Sequence, residues 1–452
     1  MDHQRGVQTQ VGECLSATQL DISIKSSTIR RAVTAATIGT IIEWFDYALY
    51  SAASGLIISK LFFPQLSATA GILAAFATFA VGFLSRPLGG IAIAHFGDRF
   101  GRKPALIFTV TLMGLSTVAM GLLPTYGQIG VAAPILLVFF RLLQGFGAGA
   151  EYAGAVTLVA EYVPANRKAF YTAFLQAATV VGILLATLLF LAVSYLPEEA
   201  LFAWGWRLPF LVSAVLFFVA LYIRRNLDET PEYVEAMERA ATRRKEARVP
   251  LTELLSNSPR EVLFGFLSVT GHNANAYILS AFTLSYMTNT LGMARTDALV
   301  VATIATVVGI VMTPLAGALA DRIGNAFVYC SGAIFTLLFA FPLFALLDTK
   351  SVLWAAIGMS IAYGIGFAGL ASAQGAFLAN LFPTRYRFSG IAVAREMNSL
   401  IVAGPTPFIA AALVSFDGGK ATWVVAFLMA SCAITALSVL AVHSRSFERG
   451  SE

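Results

Sequence analysis

Long apolar segments recur along the whole chain, and several contain no charged residue at all, as in residues 169–194 and 421–443. A helix needs about 20 such residues to cross the hydrocarbon core of a bilayer. Only 12% of the residues are charged, whereas a soluble domain usually carries roughly 25%. These runs exclude a soluble protein. They also exclude an outer-membrane barrel, whose strands alternate polar and apolar residues over about 10 positions.

The apolar segments predict twelve transmembrane helices arranged as two sets of six. The predicted helices 1 to 12 cover residues 32–58, 69–94, 104–124, 133–160, 168–194, 207–224, 260–289, 298–319, 326–347, 352–380, 388–414 and 421–443. The polar stretch between the sixth and the seventh divides the chain into halves.

Lysine and arginine are concentrated in alternate loops, which indicates the orientation in the membrane. The side of the membrane with fewer of these residues has only Lys60, Arg295, Lys350 and Lys420, with Arg207 at its border. We therefore expect both termini and the central loop to be cytoplasmic. The predicted parts are an N-terminal tail (1–29), a six-helix bundle (30–225), a central loop (226–258), a second bundle (259–444) and a C-terminal tail (445–452).

Two motifs occur once in each half of the chain. GDRFGRK (97–103) follows predicted helix 2, and GALADRIGN (317–325) follows predicted helix 8, which places Asp98 and Asp321 223 residues apart. A second pair, Pro164 and Pro383, lies at an offset of 219 residues. Two pairs at nearly one offset indicate that the halves are related repeats.

The repeated loop motif resembles that of the major facilitator superfamily. Further strings are similar to the metabolite:proton symporter family within it: EWFDYALYS, FLSRPLGG, RLLQGFGAGAEYAGA, WGWRLPF and DETPEY. The resemblance covers nearly the whole chain beyond residue 30. It implies an all-α membrane protein with twelve transmembrane helices in two pseudo-symmetric six-helix bundles, which rock around a central site and usually work as a monomer.

Charged side chains within the predicted helices are candidates for function, because each costs at least ~2.5–3.5 kcal/mol to place at membrane depth. They are Glu43, Asp46, Arg86, Arg141, Glu151, Arg395 and Glu396. Four acids and three bases favour pairing inside one cavity. The alternative, ion pairs that only hold the helices together, stays open for all of them, and most of all for Arg86, Arg395 and Glu396.

Predicted helices 1 and 4 carry the candidates for proton coupling. Glu43, Asp46 and Tyr50 share one helical face, and the resemblance implies that helices 1 and 4 both face the central cavity. We therefore expect an acid of helix 1 to contact Arg141, or Glu151 to contact a nearby base. Burial favours the protonated form of a carboxyl group, and a neighbouring arginine opposes this effect. Asp46 or Glu151 would then carry the proton, with Glu43 as a further candidate.

Arg141 would pair with that acid or bind the substrate. The neighbouring polar residues Gln144, Tyr50 and Tyr152 are candidates for substrate contact.

Polar residues also occur at membrane depth in the second half. His272 is a second candidate for proton handling, because histidine titrates near neutral pH. The candidates for substrate contact are Asn273, Asn275, Tyr277, Tyr363, Gln374 and Asn398. A lone Asn or His often makes only a hydrogen bond between helices, and that alternative remains.

The repeated loop motif is interpreted as a cytoplasmic gate rather than a substrate site. By resemblance it latches the cytoplasmic side when the cavity opens outward, and charged groups at helix ends can support such a contact. The gate residues are Asp98, Arg99 and Arg102 in the first copy, and Asp321 and Arg322 in the second. The second copy has Asn325 where a base is usual, so its latch is expected to be weaker.

Sequence signals for enzymes, metal sites and nucleic-acid binding are missing. The glycines of GFGAGAEYAGA follow no strand, so they favour close helix packing over a nucleotide loop. The three cysteines have no metal-ligand spacing. The basic charge follows membrane topology, so we expect no nucleic-acid partner. We also expect no enzyme activity and no cofactor, with the proton gradient as the energy source.

The expected function is proton-coupled uptake of a small organic acid across a bacterial cytoplasmic membrane. The in-membrane arginines indicate an anion, a mono- or dicarboxylate, and the resemblance suggests a shikimate-like or 2-oxoglutarate-like one. The first alternative is uptake of a zwitterionic osmolyte such as proline or betaine. Members with that role tend to have a long C-terminal extension, which is not seen after His443. Multidrug efflux and a receptor without transport are further alternatives.

Overall fold

The chain is helical throughout the part that the computed structural model describes, which is residues 26–100, 102–149, 156, 159, 163, 165–226, 251–383 and 387–450. Twelve long helical segments occur there, named α1 to α12. The first six are α1 (Ser26–Ala53, continued by Ser54–Ile58 and Ser59–Phe62), α2 (Ala68–Leu84 and Arg86–Phe100), α3 (Arg102–Leu122), α4 (Ala132–Ala148), α5 (Lys168–Ser194) and α6 (Arg207–Asn226).

The second half repeats this order. Its helices are α7 (Pro259–Tyr277, continued to Thr290), α8 (Arg295–Ile323), α9 (Asn325–Asp348), α10 (Val352–Ile361, Ala362–Phe367 and Ala368–Leu381), α11 (Arg387–Asn398, Ser399–Ala403 and Thr406–Phe416) and α12 (Thr422–Gly450). Short helices at Tyr126–Ile129, Glu198–Ala200 and Leu251–Asn257 lie in the connections.

The helices are long and apolar enough for a multi-pass membrane protein. Seven described spans reach at least 18 residues with high mean hydropathy, and the bent pair Glu198–Gly205 and Arg207–Val219 makes an eighth. Shorter apolar helices occur at Ile107–Leu122 and Ala132–Ala148. α1 and α7 are not among these spans, and both carry polar or charged side chains at mid-length.

The two halves meet along four helix pairs. α5 packs against α8 and α10, α2 packs against α11, and α1 packs against α7. The even number of helices places both described ends of the chain on one side, called here the termini end. At the opposite end Asn289 of α7 donates a hydrogen bond of 2.7 Å to the Gly55 carbonyl of α1. At the termini end Asp321 of α8 accepts hydrogen bonds from the start of α5, so the halves are in contact at both ends.

Glycines allow α2 and α4 to touch backbone to backbone. A Cβ atom added at Gly145 would meet the Gly82 carbonyl oxygen, and one at Gly149 would meet the Arg86 carbonyl oxygen. Small residues that permit such close approach are typical of helix pairs in membranes. The described part of the glycine-rich segment, Gly145 to Gly149, is thus a packing surface, and it fixes the spacing between the helices that carry Arg86 and Arg141.

Irregular turns interrupt several helices next to the polar residues. π-helical turns occur at Ile278–Phe282 in α7, Ala362–Phe367 in α10 and Ser399–Ala403 in α11. Such turns are frequent at functional sites, because they rotate the side chains that follow and loosen the backbone ladder. The turn in α7 begins directly after Tyr277, the turn in α10 contains Tyr363, and the turn in α11 begins directly after Asn398.

Candidate functional site

Arg86 joins three helices at the contact between the two halves. Its guanidinium lies 3.6 Å from the Glu43 carboxylate of α1 and 3.1 Å from the Glu396 carboxylate of α11. The same group lies 5.3 Å from the Tyr47 ring centre. Two carboxylates therefore share one buried base, which is the pairing that the cost of isolated membrane charges predicts.

Arg141 of α4 has a different environment. Its side chain is fully buried, donates to Gln144 and to the Phe79 carbonyl at 2.9 Å, and stacks over the Tyr50 ring at 4.1 Å. Its Nε atom has no hydrogen-bond partner. Across the described residues, neither ion pair within 4.0 Å involves Arg141.

The expected contact between Arg141 and an acid of α1 is therefore not formed. Glu43 turns to Arg86 of α2. The Asp46 carboxylate instead accepts a 2.5 Å hydrogen bond from Ser213 of α6. Since the two acids are three positions apart, about 60° of rotation separates them on the helix, which is enough to direct them to different neighbours. Tyr50 also turns to α2, where its hydroxyl shares a 2.6 Å hydrogen bond with Thr78.

A second polar group bridges the halves at α5, α7 and α10. Gln176 lies 3.4 Å from His272 Nε2 and donates to Gln374 at 3.1 Å. The Nδ1 atom of His272 is buried without a partner. Sequence reasoning missed Gln176, although it is the only amide side chain between residues 169 and 193, a signal that could have identified it.

The remaining polar candidates of the second half differ in their surroundings. Asn273 donates to Asn398 at 2.7 Å, a hydrogen bond between α7 and α11 within one bundle. Asn275 is buried, and its amide nitrogen has no partner. Tyr277 packs edge-on against Phe83 of α2, with 5.6 Å between ring centres. Of these, Tyr277 thus crosses the contact between the halves.

Tyr363 is buried near His272. Tyr363 packs against Phe367, whose ring centre lies 5.4 Å from that of His272. Arg395 of α11 is also buried. The site therefore has a charged part around Arg86 and Arg141, and an amide and imidazole part around Gln176.

Asp321, a predicted gate residue, contacts the other half directly. Its two carboxylate oxygens accept hydrogen bonds of 2.9 Å from the backbone N–H groups of Ala169 and Phe170, at the start of α5. A carboxylate at a helix N-terminus satisfies unpaired donors and complements the helix dipole. Arg322 beside it is exposed. The side chains of Asp98, Arg99, Arg102, Glu151 and Tyr152 lie outside the described residues.

Removing the Asp321 carboxylate should loosen the termini end. For Asp321→Ala we expect the conformation that is closed at the termini end to lose about 1 kcal/mol of stability, as for other helix caps. The equilibrium should then shift about fivefold towards the open conformation. Spin labels at Asn166 and Ser256, in a chain without Cys14, Cys330 and Cys432, would report the distance. Glu199→Ala, at an exposed acid outside this contact, is the control. An unchanged distance distribution in Asp321→Ala would contradict a latch.

Comparison with known proteins supplies the family. The Major Facilitator Superfamily model matches residues 36–402 and 265–450. The chain is 38% identical over 419 residues to the shikimate transporter of Escherichia coli K12, covering 92% of this chain and 95% of the relative. It is 34% identical over 400 residues to a proline/betaine transporter of Salmonella typhimurium, which covers 86% of this chain and 79% of that relative.

Solved structures agree in fold. The crystal structure of a D-xylose-proton symporter superposes with a TM-score of 0.69 at 19% identity, over 91% of this chain and 96% of that one. A partially occluded inward-open structure of the xylose transporter from Escherichia coli superposes with a TM-score of 0.70 at 18% identity, over 92% of this chain and 97% of that one. With twelve helices in two bundles, the chain belongs to the major facilitator superfamily and is a membrane transporter rather than an enzyme.

Proposed function

We propose that this protein is a proton-coupled symporter that takes up a small carboxylate by alternating access. The observation that carries the proposal is Arg141, a fully buried guanidinium whose Nε is unpartnered. Arg141 has no counter-ion among the described residues, and because a buried charge left in that way is costly, a transported anion gives it a reason to be retained. The planar guanidinium fork also matches a carboxylate better than any other side chain does.

The surroundings of Arg141 favour an anion over a zwitterion. Betaine and proline carry a cationic nitrogen, for which aromatic faces are a common binding surface. Here the Tyr47 and Tyr50 rings already lie 5.4 and 4.1 Å from the Arg141 guanidinium, and Tyr47 also faces Arg86. A further cation among these rings would be repelled by both arginines.

Uncharged polar groups support a substrate with further oxygen atoms. The Tyr47 hydroxyl and His272 Nδ1 are buried without hydrogen-bond partners, and such groups usually find one. A hydroxyl or second carboxyl on the substrate would supply it. Shikimate, which the first relative is named for, is a hydroxylated carboxylate, so it is the first acid to test.

Asp46 is the proposed proton carrier. Asp46 is 2% exposed, its carboxylate accepts a hydrogen bond from Ser213, and it forms no ion pair in the described part of the chain. A desolvated carboxyl without a counter-ion readily exists in protonated form. Glu43, in contrast, is engaged with Arg86. We take the termini end to be cytoplasmic, so uptake runs from the opposite end.

The decisive experiment is uptake into liposomes that contain the purified protein. The panel is shikimate, 2-oxoglutarate, proline and betaine, each with and without an inward proton gradient. We expect accumulation of one of the acids, abolished by a protonophore. Accumulation of betaine or proline alone would support the osmolyte alternative, insensitivity to the protonophore would exclude symport, and no movement of any solute would favour a receptor.

Replacing Asp46 by asparagine should separate accumulation from exchange. With one proton per substrate, the parent can accumulate the acid about tenfold per unit of pH gradient. The Asp46→Asn variant cannot release a proton, so its accumulation ratio should fall to one, while exchange of internal for external substrate persists. Glu199→Gln changes an exposed acid and is the control. Accumulation by Asp46→Asn equal to the parent would exclude Asp46 as the carrier.

A further inference from the structure

A chain of four hydrogen bonds ends at the His272 ring and can be followed from its far end. The Tyr329 hydroxyl lies 2.7 Å from the Ser268 carbonyl oxygen and donates its single proton there. Towards Gln374 the same hydroxyl can therefore only accept, and the Gln374 amide nitrogen lies 3.5 Å from it. This leaves the Gln374 oxygen as the acceptor for the Gln176 nitrogen at 3.1 Å.

Gln176 therefore presents its NH2 group to His272. That nitrogen lies 3.4 Å from His272 Nε2, so Nε2 accepts a hydrogen bond and does not carry a proton. In a neutral imidazole one ring nitrogen accepts and the other carries the proton, which places the proton on Nδ1. A proton on Nε2 would face the NH2 group of Gln176, and relieving that contact would require the whole chain to reverse. The chain thus favours a neutral ring with an N–H group at Nδ1.

The Nδ1–H group of His272 lacks an acceptor in the described part of the chain. The residue is 5% exposed, and Nδ1 has no hydrogen-bond partner. The amide nitrogen of Asn275 is also buried without a partner, and residues three positions apart share a helical face. Buried polar groups are nearly always hydrogen-bonded, so two unsatisfied donors on one face of α7 indicate a ligand that brings an acceptor.

We propose that the Nδ1–H group of His272 binds an oxygen acceptor of the substrate, with the Asn275 amide beside it. The pair would select acids that carry a second oxygen group. A carbonyl, a hydroxyl or a second carboxylate can accept this hydrogen bond, whereas the cationic nitrogen of proline or betaine has no lone pair and cannot. His272 is therefore assigned the role of a neutral donor rather than of a proton carrier.

This inference rests on the proposed function, because it assumes that Arg141 binds the carboxylate of the same substrate. The helix that carries His272 also reaches the surroundings of Arg141. Tyr277, further along α7, packs against Phe79 of α2 with 5.9 Å between ring centres. The Phe79 ring centre in turn lies 5.2 Å from the Arg141 guanidinium. The donor of the second half and the arginine of the first half thus lie on either side of this aromatic contact.

Two substitutions of His272 separate the roles of its ring nitrogens. The amide nitrogen of asparagine can take the place of Nδ1, so His272→Asn keeps the donor and loses the acceptor for Gln176. The longer glutamine reaches the position of Nε2, so His272→Gln keeps a contact with Gln176 and loses the donor. His443→Gln, at an exposed position of α12, is the control. A thermal melt reports whether each variant is folded.

The ligands are matched pairs that differ in their further oxygen atoms. Shikimate is paired with 1-cyclohexene-1-carboxylate, and 2-oxoglutarate with butyrate; the pair used contains the acid that the parent accumulates. His272→Gln should bind the full acid about tenfold more weakly than the parent, because one buried hydrogen bond is left unmade. Its affinity for the truncated acid should be that of the parent. His272→Asn should stay within about threefold of the parent for both acids.

The position of the ring proton is measured by nitrogen-15 NMR, without any variant of His272. In a chain with His3, His95 and His443 replaced by glutamine, every imidazole signal comes from His272. Ring nitrogens with and without a proton give separate signals. We expect a proton on Nδ1 and none on Nε2, and a shift of the Nδ1 signal on addition of the full acid but not of the truncated acid.

The outcomes separate this inference from the proposed function. A proton on Nε2 would overturn the inference alone. So would a folded His272→Gln variant that binds the full acid as tightly as the parent, or that loses affinity equally for the full and the truncated acid. A parent that binds neither shikimate nor 2-oxoglutarate would overturn the proposed function, and the inference with it.

Discussion

Replacing Arg141 by lysine should lower the affinity for the transported carboxylate by about 100-fold or more. Lysine keeps the positive charge but loses the two-pronged hydrogen bonding and the stacking on Tyr50, which lies 4.1 Å from the guanidinium. A hydrogen bond to a charged group contributes about 1.5–3 kcal/mol, and about 1.4 kcal/mol corresponds to tenfold in affinity. Loss of one such bond together with the stacking accounts for the expected factor.

Arg260→Lys is the matched control for this experiment, because Arg260 is exposed at the start of α7. The dissociation constant of the accumulated acid is measured for the parent and both variants, and a thermal melt reports whether each variant is folded. A folded Arg141→Lys variant that binds as tightly as the parent would exclude a bidentate contact, and with it the observation on which the proposed function depends.

The candidate site was only partly predictable from sequence. The residues were identified because a charged or amide side chain inside an apolar run is conspicuous: Glu43, Asp46 and Arg141 are all buried as expected. Their partners were not predictable. Whether Asp46 meets α4 or α6 depends on the rotation of α1 and on how closely glycines let the neighbouring helices approach, and neither is visible in the local sequence.

Contacts over long sequence separation were the main omission. The pairs Arg86 with Glu396 and Gln176 with Gln374 are 310 and 198 residues apart. The internal repeat indicated that the halves face each other, but it does not say which side chains meet. Likewise the second loop motif was expected to be a weak latch for want of a base at Asn325. The contact of Asp321 with backbone N–H groups of α5 was not predictable, because backbone groups leave no sequence signature.

Introducing a single methyl group at Gly145 should destabilise the whole first bundle. The Cβ atom of Gly145→Ala would overlap the Gly82 carbonyl oxygen and approach the Ser85 hydroxyl. Backbone atoms of two packed helices cannot turn aside as a side chain can, so α2 and α4 must separate. Overpacking in a core costs about 1–3 kcal/mol, and we expect at least the upper end because the obstacle is backbone.

The same separation should also impair transport in whatever fraction remains folded. Gly145 follows Gln144 directly, and the Arg141 guanidinium reaches the Phe79 carbonyl of α2 across this contact at 2.9 Å. Gly127→Ala is the control, since nothing closer than the Thr125 hydroxyl at 4.0 Å opposes a Cβ there. Thermal unfolding in detergent and uptake in liposomes are measured on both variants. If Gly145→Ala has the same melting temperature as the parent, α2 and α4 are further apart than the carbonyl contact requires. The contact between Arg141 and the Phe79 carbonyl would then be wrong as well.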